Sequence, residues 1–169
     1  MADRLAQLLG VLALAGADRC RAAVEGAVGR GGGHAGALVH LHAHPDESVQ
    51  GLADVLGVSQ PAAVKIADRL ATDGLVERRP GADRRVRALR LTSKGRRVAA
   101  SLLSERAEAL EELVSVLKPS ERVALERLLE KLVATLAQDR PGALTVCRLC
   151  DRSMCCRGPA GCPLGHTTA

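Results

Sequence analysis

Apolar residues in the first quarter of the chain recur at intervals of three and four, which is the spacing that gives a helix one apolar face. This series predicts a helix over residues 3–28, and the glycine-rich segment 29–33 breaks it. A second, shorter helix is expected over residues 34–44, because Pro45 disfavours helical backbone in the residue before it.

The same spacing returns in the second half of the chain. Thr92 or Ser93 can cap a long helix that runs to about Leu117, and residues 118–120 restart a last helix, which residues 139–142 close. The leucine seams of the first helix and of these two have no second core of their own to cover them. We therefore expect two copies of the chain to pair through these helices as a homodimer.

Between these helical regions lie two shorter helices joined by a tight turn. Ser48 can cap a helix over residues 49–56, and Gly57-Val58-Ser59 forms the turn. Ser59 can then cap a second helix over residues 60–73, which Gly74 ends. Two helices joined by a glycine-containing turn of about three residues are typical of a helix-turn-helix motif.

Alternating apolar and polar positions follow this motif directly. They predict short strands over residues 75–79 and 86–91, and the turn-forming residues 80–83 make the two a β-hairpin, or wing. The expected fold class is mainly α with a small β-hairpin wing, in which a winged helix-turn-helix domain is flanked by dimerisation helices. The expected parts are residues 3–44, residues 45–93 for the winged domain, residues 94–138, and a tail over residues 139–169.

Composition narrows the class of partner. The chain contains no Phe, Tyr or Trp, which argues against a base-stacking surface for single-stranded nucleic acid. Its net charge is +5, and residues 77–97 concentrate nine Arg or Lys against two acidic residues. A basic cluster of this kind favours a polyanionic partner such as double-stranded DNA.

The order of these elements resembles the MarR family of transcription regulators. The residues that carry the resemblance are Leu52-Ala53-Asp54-Val55-Leu56-Gly57-Val58-Ser59-Gln60-Pro61-Ala62-Ala63-Val64, Asp68-Arg69-Leu70, Asp73-Gly74-Leu75-Val76-Glu77-Arg78-Arg79, Asp83-Arg84-Arg85 and Leu91-Thr92-Ser93-Lys94-Gly95. Gly51 departs from the family pattern, which often has an acidic residue there that completes a capping box with residue 48. The aromatic residues that commonly line the family's ligand cleft are also absent.

Base edges in the major groove are read by side chains near the start of a recognition helix. On the second helix of the motif we expect Ser59, Gln60, Ala62, Lys65 and Arg69 to contact DNA. Gln60 can pair with adenine and Ala62 can touch a thymine methyl group, whereas Ser59, Lys65 and Arg69 suit phosphates.

The wing supplies further candidate DNA contacts. Arg84, Arg85 and Arg87 cluster there, and a narrow minor groove attracts guanidinium groups. The resemblance implies that Arg85 enters the minor groove and that Asp83 braces the wing by pairing with a neighbouring arginine. Further candidates for phosphate contacts are Arg78, Arg79 and Arg90.

Five of the six cysteines lie within sixteen residues of the tail. Clustered cysteines in a reducing compartment indicate metal binding or redox activity more readily than a disulfide framework. The candidate metal ligands are Cys147, Cys150, Cys155, Cys156 and Cys162, and the sequence leaves open which of the adjacent pair would bind. An iron–sulfur cluster is slightly favoured over zinc, because only one Cys-X-X-Cys pair is present. A thiol–disulfide switch and a tail without function are the alternatives.

Two smaller observations complete the picture. His40 and His44 are four residues apart on a predicted helix, which could bring them to one face, but such histidines are more often surface or interface residues. No signal peptide and no membrane-spanning run are recognisable, so a cytoplasmic protein is expected.

Together these features predict a dimeric regulator, in the repressing mode that is commoner in the family, which binds an inverted-repeat operator. The tail would adjust DNA affinity by acting on the dimer helices beside it. One alternative is a small-molecule-responsive regulator with a structural zinc or thiol–disulfide tail. Another is a metal or redox protein that uses the winged domain for protein contacts. An enzyme is not expected, because no arrangement of nucleophile and base, phosphate-binding glycine loop or paired carboxylates is recognisable.

Overall fold

The computed structural model describes residues 3–28, 31–80, 87–157 and 161–165. These residues form a mainly α-helical protein with one small antiparallel sheet, as the sequence predicts. The elements of this part of the chain are α1 (Arg4–Val28), α2 (Gly32–Ala43), β1 (Glu47–Ser48), α3 (Val49–Leu56), α4 (Gln60–Thr72), β2 (Val76–Pro80), β3 (Arg87–Leu91), α5 (Ser93–Val114), α6 (Pro119–Val133), α7 (Arg140–Val146) and α8 (Arg152–Cys155).

Helix α2 lies at the centre of the core. Its residues 35–41 are all buried, and they pack against α3, α4, α5 and strand β3. The largest fully buried side chains are aliphatic, in keeping with a chain that lacks Phe, Tyr and Trp: Leu38, Leu41, Leu52, Val55, Leu70, Leu89 and Leu102. This core holds the helix-turn-helix and the sheet in one unit.

Short-range hydrogen bonds and backbone conformation define the start and end of α3 in the helix-turn-helix, as the sequence predicts. The Ser48 hydroxyl accepts a 2.9 Å hydrogen bond from the Gly51 N–H and so caps α3. Gly57 ends α3 with φ +64°, a left-handed backbone that glycine adopts without steric cost. Ser59 is the N-cap residue of α4, but its side chain makes no capping hydrogen bond, so that part of the prediction is wrong.

The sheet has three strands in the order β1-β3-β2, rather than the two of the predicted hairpin. Strand β2 pairs antiparallel with β3, with Val76 opposite Leu91 and Pro80 opposite Arg87. Strand β1 adds to the other edge of β3, with Glu47 opposite Leu89. Of the predicted turn over residues 80–83, Pro80 ends strand β2, and residues 81–83 lie outside the described residues.

Helix α5 begins where the wing returns to the core. The Thr92 hydroxyl accepts a 3.0 Å hydrogen bond from the Gly95 N–H, which confirms Thr92 as the cap. Gly95 is buried so close to the start of the wing that a β-carbon there would lie 2.0 Å from the Leu75 carbonyl oxygen. This contact fixes α5 to the wing.

The C-terminal region differs from the prediction. Helix α6 ends at Val133, and residues 139–142 begin a new helix instead of closing the last one. The Asp139 carboxylate accepts a 2.8 Å hydrogen bond from the Gly142 N–H, so Asp139 is the cap of α7. Pro141 lies in the first turn of α7, where proline is favoured because its missing N–H costs no helical hydrogen bond.

Two apolar seams are left on the outside of the chain. On α1 they include Leu5, Leu8, Leu9, Val11, Leu12 and Leu14, and on α6 they include Val123, Leu128, Leu129 and Leu132. None of the residues of α6 is buried within the described chain. Among the described residues, there is no helix with the length and hydrophobicity to cross a membrane.

Candidate nucleic-acid interface

Helix α4 presents one face to the core and the other to solvent. Ala63, Ala67 and Leu70 are buried against the core. The sequence-predicted contact residues lie on the remaining surface: Ser59, Gln60, Lys65 and Arg69 are exposed, and Ala62 is half-buried. The fold therefore brings these five residues to one accessible helix and its N-terminus.

Gln60 and Lys65 are the least engaged of these polar side chains. Neither makes a side-chain hydrogen bond or ion pair with another residue in the described part of the chain. The Ser59 side chain is likewise not used to cap α4. These groups can turn toward a ligand without first breaking an internal contact.

The arginines near α4 are held by carboxylates instead. Arg69 pairs with Asp73 one turn later, at 3.5 Å. Arg78 on β2 reaches back to Asp68 on α4, with a 2.5 Å separation between guanidinium nitrogen and carboxylate oxygen. The ion pair between Arg78 and Asp68 links strand β2 to helix α4 and positions both, although exposed ion pairs of this kind contribute little stability.

The other candidate phosphate contacts on the sheet are also paired. Arg79 lies 2.7 Å from the Glu77 carboxylate on the same strand. Arg90 forms two hydrogen bonds with Asp46, one of them 2.8 Å from Nε to Oδ1. The hydrogen bond from Arg90 holds the pKa of Asp46 below its ordinary value. Arg90 thus fastens the segment before β1 to β3, and its role is structural in this arrangement.

Asp83, Arg84 and Arg85 lie outside the described residues. The backbone of Arg87 pairs with Pro80 in the sheet, but its side chain is not among those described. Their proposed roles at the minor groove stay predictions.

A polar cluster at the start of α3 explains the unusual Gly51. The Glu47 carboxylate accepts a 2.8 Å hydrogen bond from the Ser48 N–H and lies 3.2 Å from His40 Nε2. In an ordinary capping box a glutamate at the position of Gly51 would bind that N–H. Here the carboxylate of Glu47, the residue before the cap, binds the Ser48 N–H instead. It occupies the space that a side chain at residue 51 would fill.

This cluster also corrects the interpretation of the histidines. His40 is buried, not a surface residue, and its ring stacks on that of His44 with 4.6 Å between centroids. The hydrogen bond from His40 holds the pKa of Glu47 below its ordinary value. The sequence offered a signal for this contact in the acidic residue that precedes the Ser48 cap.

Four cysteines of the tail lie at the ends of its two short helices or in the turn between them. Cys147 is the C-cap residue of α7, the Cys150 N–H donates a 2.8 Å hydrogen bond to the Cys147 carbonyl oxygen, and Cys155 ends α8. Cys162 is buried, whereas Cys155 is exposed. Cys156, the C-cap residue of α8, is half-buried.

The thiols differ in acidity because of these contacts. The hydrogen bond with Cys150 lowers the pKa of Cys147, whereas the same bond, followed by burial, raises the pKa of Cys150. Burial raises the pKa of Cys155 to about 11. Two arginines outside the predicted set act on the cluster: Arg106 on Cys150 and Cys155, and Arg152 on Cys147 and Cys156.

Thiols are the ligands that zinc and iron–sulfur clusters prefer, so the donor chemistry of the tail fits either group. Within the described segments, however, no group of three or more Cys, His, Asp or Glu residues is arranged to hold a metal ion.

The tail lies against the DNA-reading half of the molecule. Helix α7 packs on α3, and the Thr145 hydroxyl lies 3.3 Å from the Asp54 carbonyl oxygen and 3.1 Å from that of Pro141, so the two acceptors share its one proton. Arg152 contacts His44 at the end of α2. The sequence predicted an action on the dimer helices alone and gave no signal for a contact with α3, which lies about ninety residues away in the chain.

Comparison with known proteins finds similarity to the family that the sequence resembles. A family model described as "MarR family" matches residues 29–86. The transcriptional repressor MprA of Escherichia coli strain K12 is 36% identical over 105 residues, which are 60% of this chain and 60% of that protein. The match therefore spans about three fifths of the length of this curated relative.

Solved structures share the fold over more of the chain. YusO of Bacillus subtilis has a TM-score of 0.69 and 26% identity, and the match covers 80% of this chain and 99% of that one. Rv2887, a MarR family protein of Mycobacterium tuberculosis solved in complex with DNA, has a TM-score of 0.62 and 23% identity, with coverage of 77% and 98%. At this identity the second comparison concerns the fold alone.

Proposed function

Because this chain belongs to the MarR family of winged helix transcription regulators, we propose that it binds double-stranded DNA and controls transcription from the bound site. The observation that carries the proposal is the exposed face of α4, where Gln60 and Lys65 have no internal partner in the described chain. An α-helix with such side chains near its N-terminus fits the major groove.

Each group has a defined role in this proposal. Gln60 reads a base edge, with adenine as its best partner, and Ala62 packs on a thymine methyl group. Lys65 and Ser59 hold phosphates, and Arg69 joins them when it leaves Asp73. Arg84, Arg85 and Arg87 follow the minor groove, and Asp83 braces them. Rv2887, which shares the fold, was solved with DNA.

The functional unit in this proposal is a homodimer. Leu5 and Leu12 on α1 are 69% and 49% exposed, and Leu128 and Leu132 on α6 are 57% and 49% exposed. A second copy would cover these seams and would set two α4 helices about one DNA turn apart. The operator is then an inverted repeat, and repression is the favoured mode because the relative MprA is a repressor.

Selection of bound duplexes from a random pool tests the proposal. The full chain should enrich inverted repeats with half-sites centred roughly 34 Å, or one helical turn, apart. The double variant Q60A/K65A should enrich no sequence while keeping its helical circular dichroism. The matched control is K118A, which changes a lysine at the start of α6, outside α4, and should enrich the same repeat. Failure of the full chain to enrich any duplex would contradict the proposal.

A finer part of the proposal concerns regulation by the tail. We propose that metal binding or thiol oxidation at the tail cysteines changes DNA affinity, because the tail contacts α3 through Thr145. An iron–sulfur cluster or zinc would be the cofactor. DNA affinity that is the same in metal-loaded, metal-free and oxidised protein would contradict it.

A small-molecule effector is the second candidate regulator. A cleft of about 740 Å³ opens between α2, α5 and the tail, and Val39, His44, Leu103 and Arg152 are among its lining residues. Its mixed apolar and basic lining suits a small organic anion. Such an anion should lower DNA affinity in the wild-type chain and should lose this effect in R152A.

A further inference from the structure

We propose that Cys147 and Cys150 are a redox-active pair, and that hydrogen peroxide converts their two thiols to a disulfide within one chain. Formation of the disulfide disturbs the packing of the tail on α3 and so lowers DNA affinity. This second step rests on the proposed DNA-binding function, whereas the assignment of the pair stands without it.

The backbone brings the two cysteines within reach of each other. Cys147 is the C-cap residue of α7, and the Cys150 N–H donates a 2.8 Å hydrogen bond to the Cys147 carbonyl oxygen. A hydrogen bond between residues three apart closes a turn whose end Cα atoms lie less than about 7 Å apart. Because a disulfide joins Cα atoms about 4.4–6.8 Å apart, this turn can form one without refolding of the tail.

Both cysteines also line one small cavity between the tail and α2. Its volume is about 20 Å³, slightly more than the roughly 10–15 Å³ that one water molecule requires. Of the cysteines in the described part of the chain, Cys155, Cys156 and Cys162 do not line this cavity. The space therefore suits an oxidant close to water in size, and hydrogen peroxide, with two oxygen atoms and no side group, meets this requirement.

The other residues around the cavity favour attack by a thiolate. Arg148 and Arg152 line it, and they flank Cys150 in the chain. Nearby positive charge stabilises a thiolate, which is the nucleophilic form of cysteine. Arg152 also contacts His44, which holds the arginine at the end of α2. The two cysteines are half-buried, so the site is sheltered but not closed to solvent.

The reaction consumes one molecule of hydrogen peroxide for each pair. One thiolate attacks a peroxide oxygen, so that an S–O bond forms and the O–O bond breaks with loss of hydroxide. The second thiolate attacks the sulfur of this sulfenic acid, so that the S–S bond forms and a second hydroxide leaves. The two protons released by the thiols convert both hydroxides to water, and the two electrons lost by the sulfurs reduce the peroxide.

The pair lies among the contacts that seat the tail on the DNA-reading half of the molecule. Shortly before it, the Thr145 hydroxyl is 3.3 Å from the Asp54 carbonyl oxygen of α3. Between the two cysteines, Leu149 packs against the main core. His40 also lines the cavity, and its Nε2 lies 3.2 Å from the Glu47 carboxylate that binds the start of α3. A disulfide draws the two sulfurs to about 2 Å from each other, and this movement repositions the side chains around these contacts.

Peptide mapping of the full chain tests the pair. Trypsin separates the tail cysteines, because it yields the peptides 132–148, 149–152, 153–157 and 158–169. The reduced protein would be treated with hydrogen peroxide in the presence of a metal chelator, alkylated and digested without reductant. Mass spectrometry should then find peptide 132–148 linked to peptide 149–152. C147S and C150S should each abolish this link, whereas C156S, a matched cysteine at the end of α8, should keep it.

Three results would overturn the assignment. Both thiols could stay free in excess peroxide, or either could be linked to another cysteine or to a second chain, which a gel without reductant detects. Oxidation by cumene hydroperoxide at the same rate as by hydrogen peroxide would refute the cavity as the feature that selects the oxidant. The wild-type map depends on no variant, and circular dichroism checks the fold of each serine variant.

Fluorescence anisotropy with the enriched inverted repeat tests the effect on DNA separately. Oxidised wild-type protein should bind the repeat about fivefold or more weakly than reduced protein, and dithiothreitol should restore the affinity. C150S should keep the reduced affinity in the presence of peroxide. Equal affinity of both wild-type forms would refute the effect of the disulfide on α3. Because the peptide map uses no DNA, its failure is distinguishable from failure of the proposed DNA-binding function.

Discussion

Replacing Gly51 with alanine should destabilise the protein, and the sign of this effect should depend on Glu47. A β-carbon at residue 51 would lie 2.2 Å from Glu47 Oε1 and 2.6 Å from its carboxyl carbon. The carboxylate would have to move, and would lose its 2.8 Å bond from the Ser48 N–H and its 3.2 Å contact with His40. His40 is buried, so its nitrogen would lose this partner in a place that water reaches poorly.

The expected size follows from these contacts. A hydrogen bond to a charged group contributes about 1.5–3 kcal/mol, and two are weakened here. Alanine gains up to about 1 kcal/mol over glycine within a helix, which offsets part of the loss. We therefore expect G51A to lower the free energy of unfolding by about 2 kcal/mol. In the E47A background the obstructing carboxylate is absent, and G51A should raise the free energy of unfolding by about 0.5–1 kcal/mol.

Urea unfolding followed by circular dichroism measures the four proteins of this double-mutant cycle, which are the wild type, G51A, E47A and E47A/G51A. Protein concentration must be held constant, because the stability of a dimer depends on it. G26A is the matched control, since a β-carbon there would have no neighbour within 4 Å. A cycle in which G51A has the same effect with and without Glu47 would refute the account of the cap.

Three further predictions concern the wing, the recognition helix and pH. G95A should destabilise the protein by about 1–3 kcal/mol in urea unfolding, since the obstructing Leu75 carbonyl is backbone and cannot rotate away; an unchanged midpoint would contradict the contact. K65A should reduce the slope of log affinity for duplex DNA against log salt by about one, while K118A should leave it unchanged; equal slopes would remove Lys65 from the phosphate contacts. Glu47 has a lowered pKa, so its stabilisation is complete above its ordinary value of 4.5 and is lost as pH falls through the lower folded value. The stability difference between wild type and E47Q, followed by unfolding at several pH values, should therefore shrink below pH 4.5, and a constant difference would contradict it.

Local signals made the helix-turn-helix and the start of α5 predictable from sequence. Ser48, Gly57 and Thr92 each act on backbone within three or four residues, and the structure confirms all three. The contact residues on α4 could likewise be assigned to one exposed surface from helical spacing. Their contacts with DNA stay predictions.

Contacts between distant residues account for what the sequence did not reveal. Strand β1 has two residues, too few for a periodic pattern, and is defined by pairing with β3 about forty residues later. Glu47 replaces the usual glutamate of the capping box from a neighbouring position, which a fixed motif cannot describe. Arg106 on α5 acts electrostatically on the pKa of Cys150, which no spacing within the tail could indicate.

Fluorescence anisotropy with the full chain and labelled duplex DNA tests the central claim most directly. The enriched inverted repeat and a scrambled duplex of the same length would be titrated over a range of salt concentrations. We predict tight binding to the repeat, weaker by about a thousandfold or more for the scrambled duplex, with affinity that falls steeply as salt rises. Equal affinity for both duplexes, or binding that does not respond to salt, would contradict a DNA-reading role for α4 and the wing.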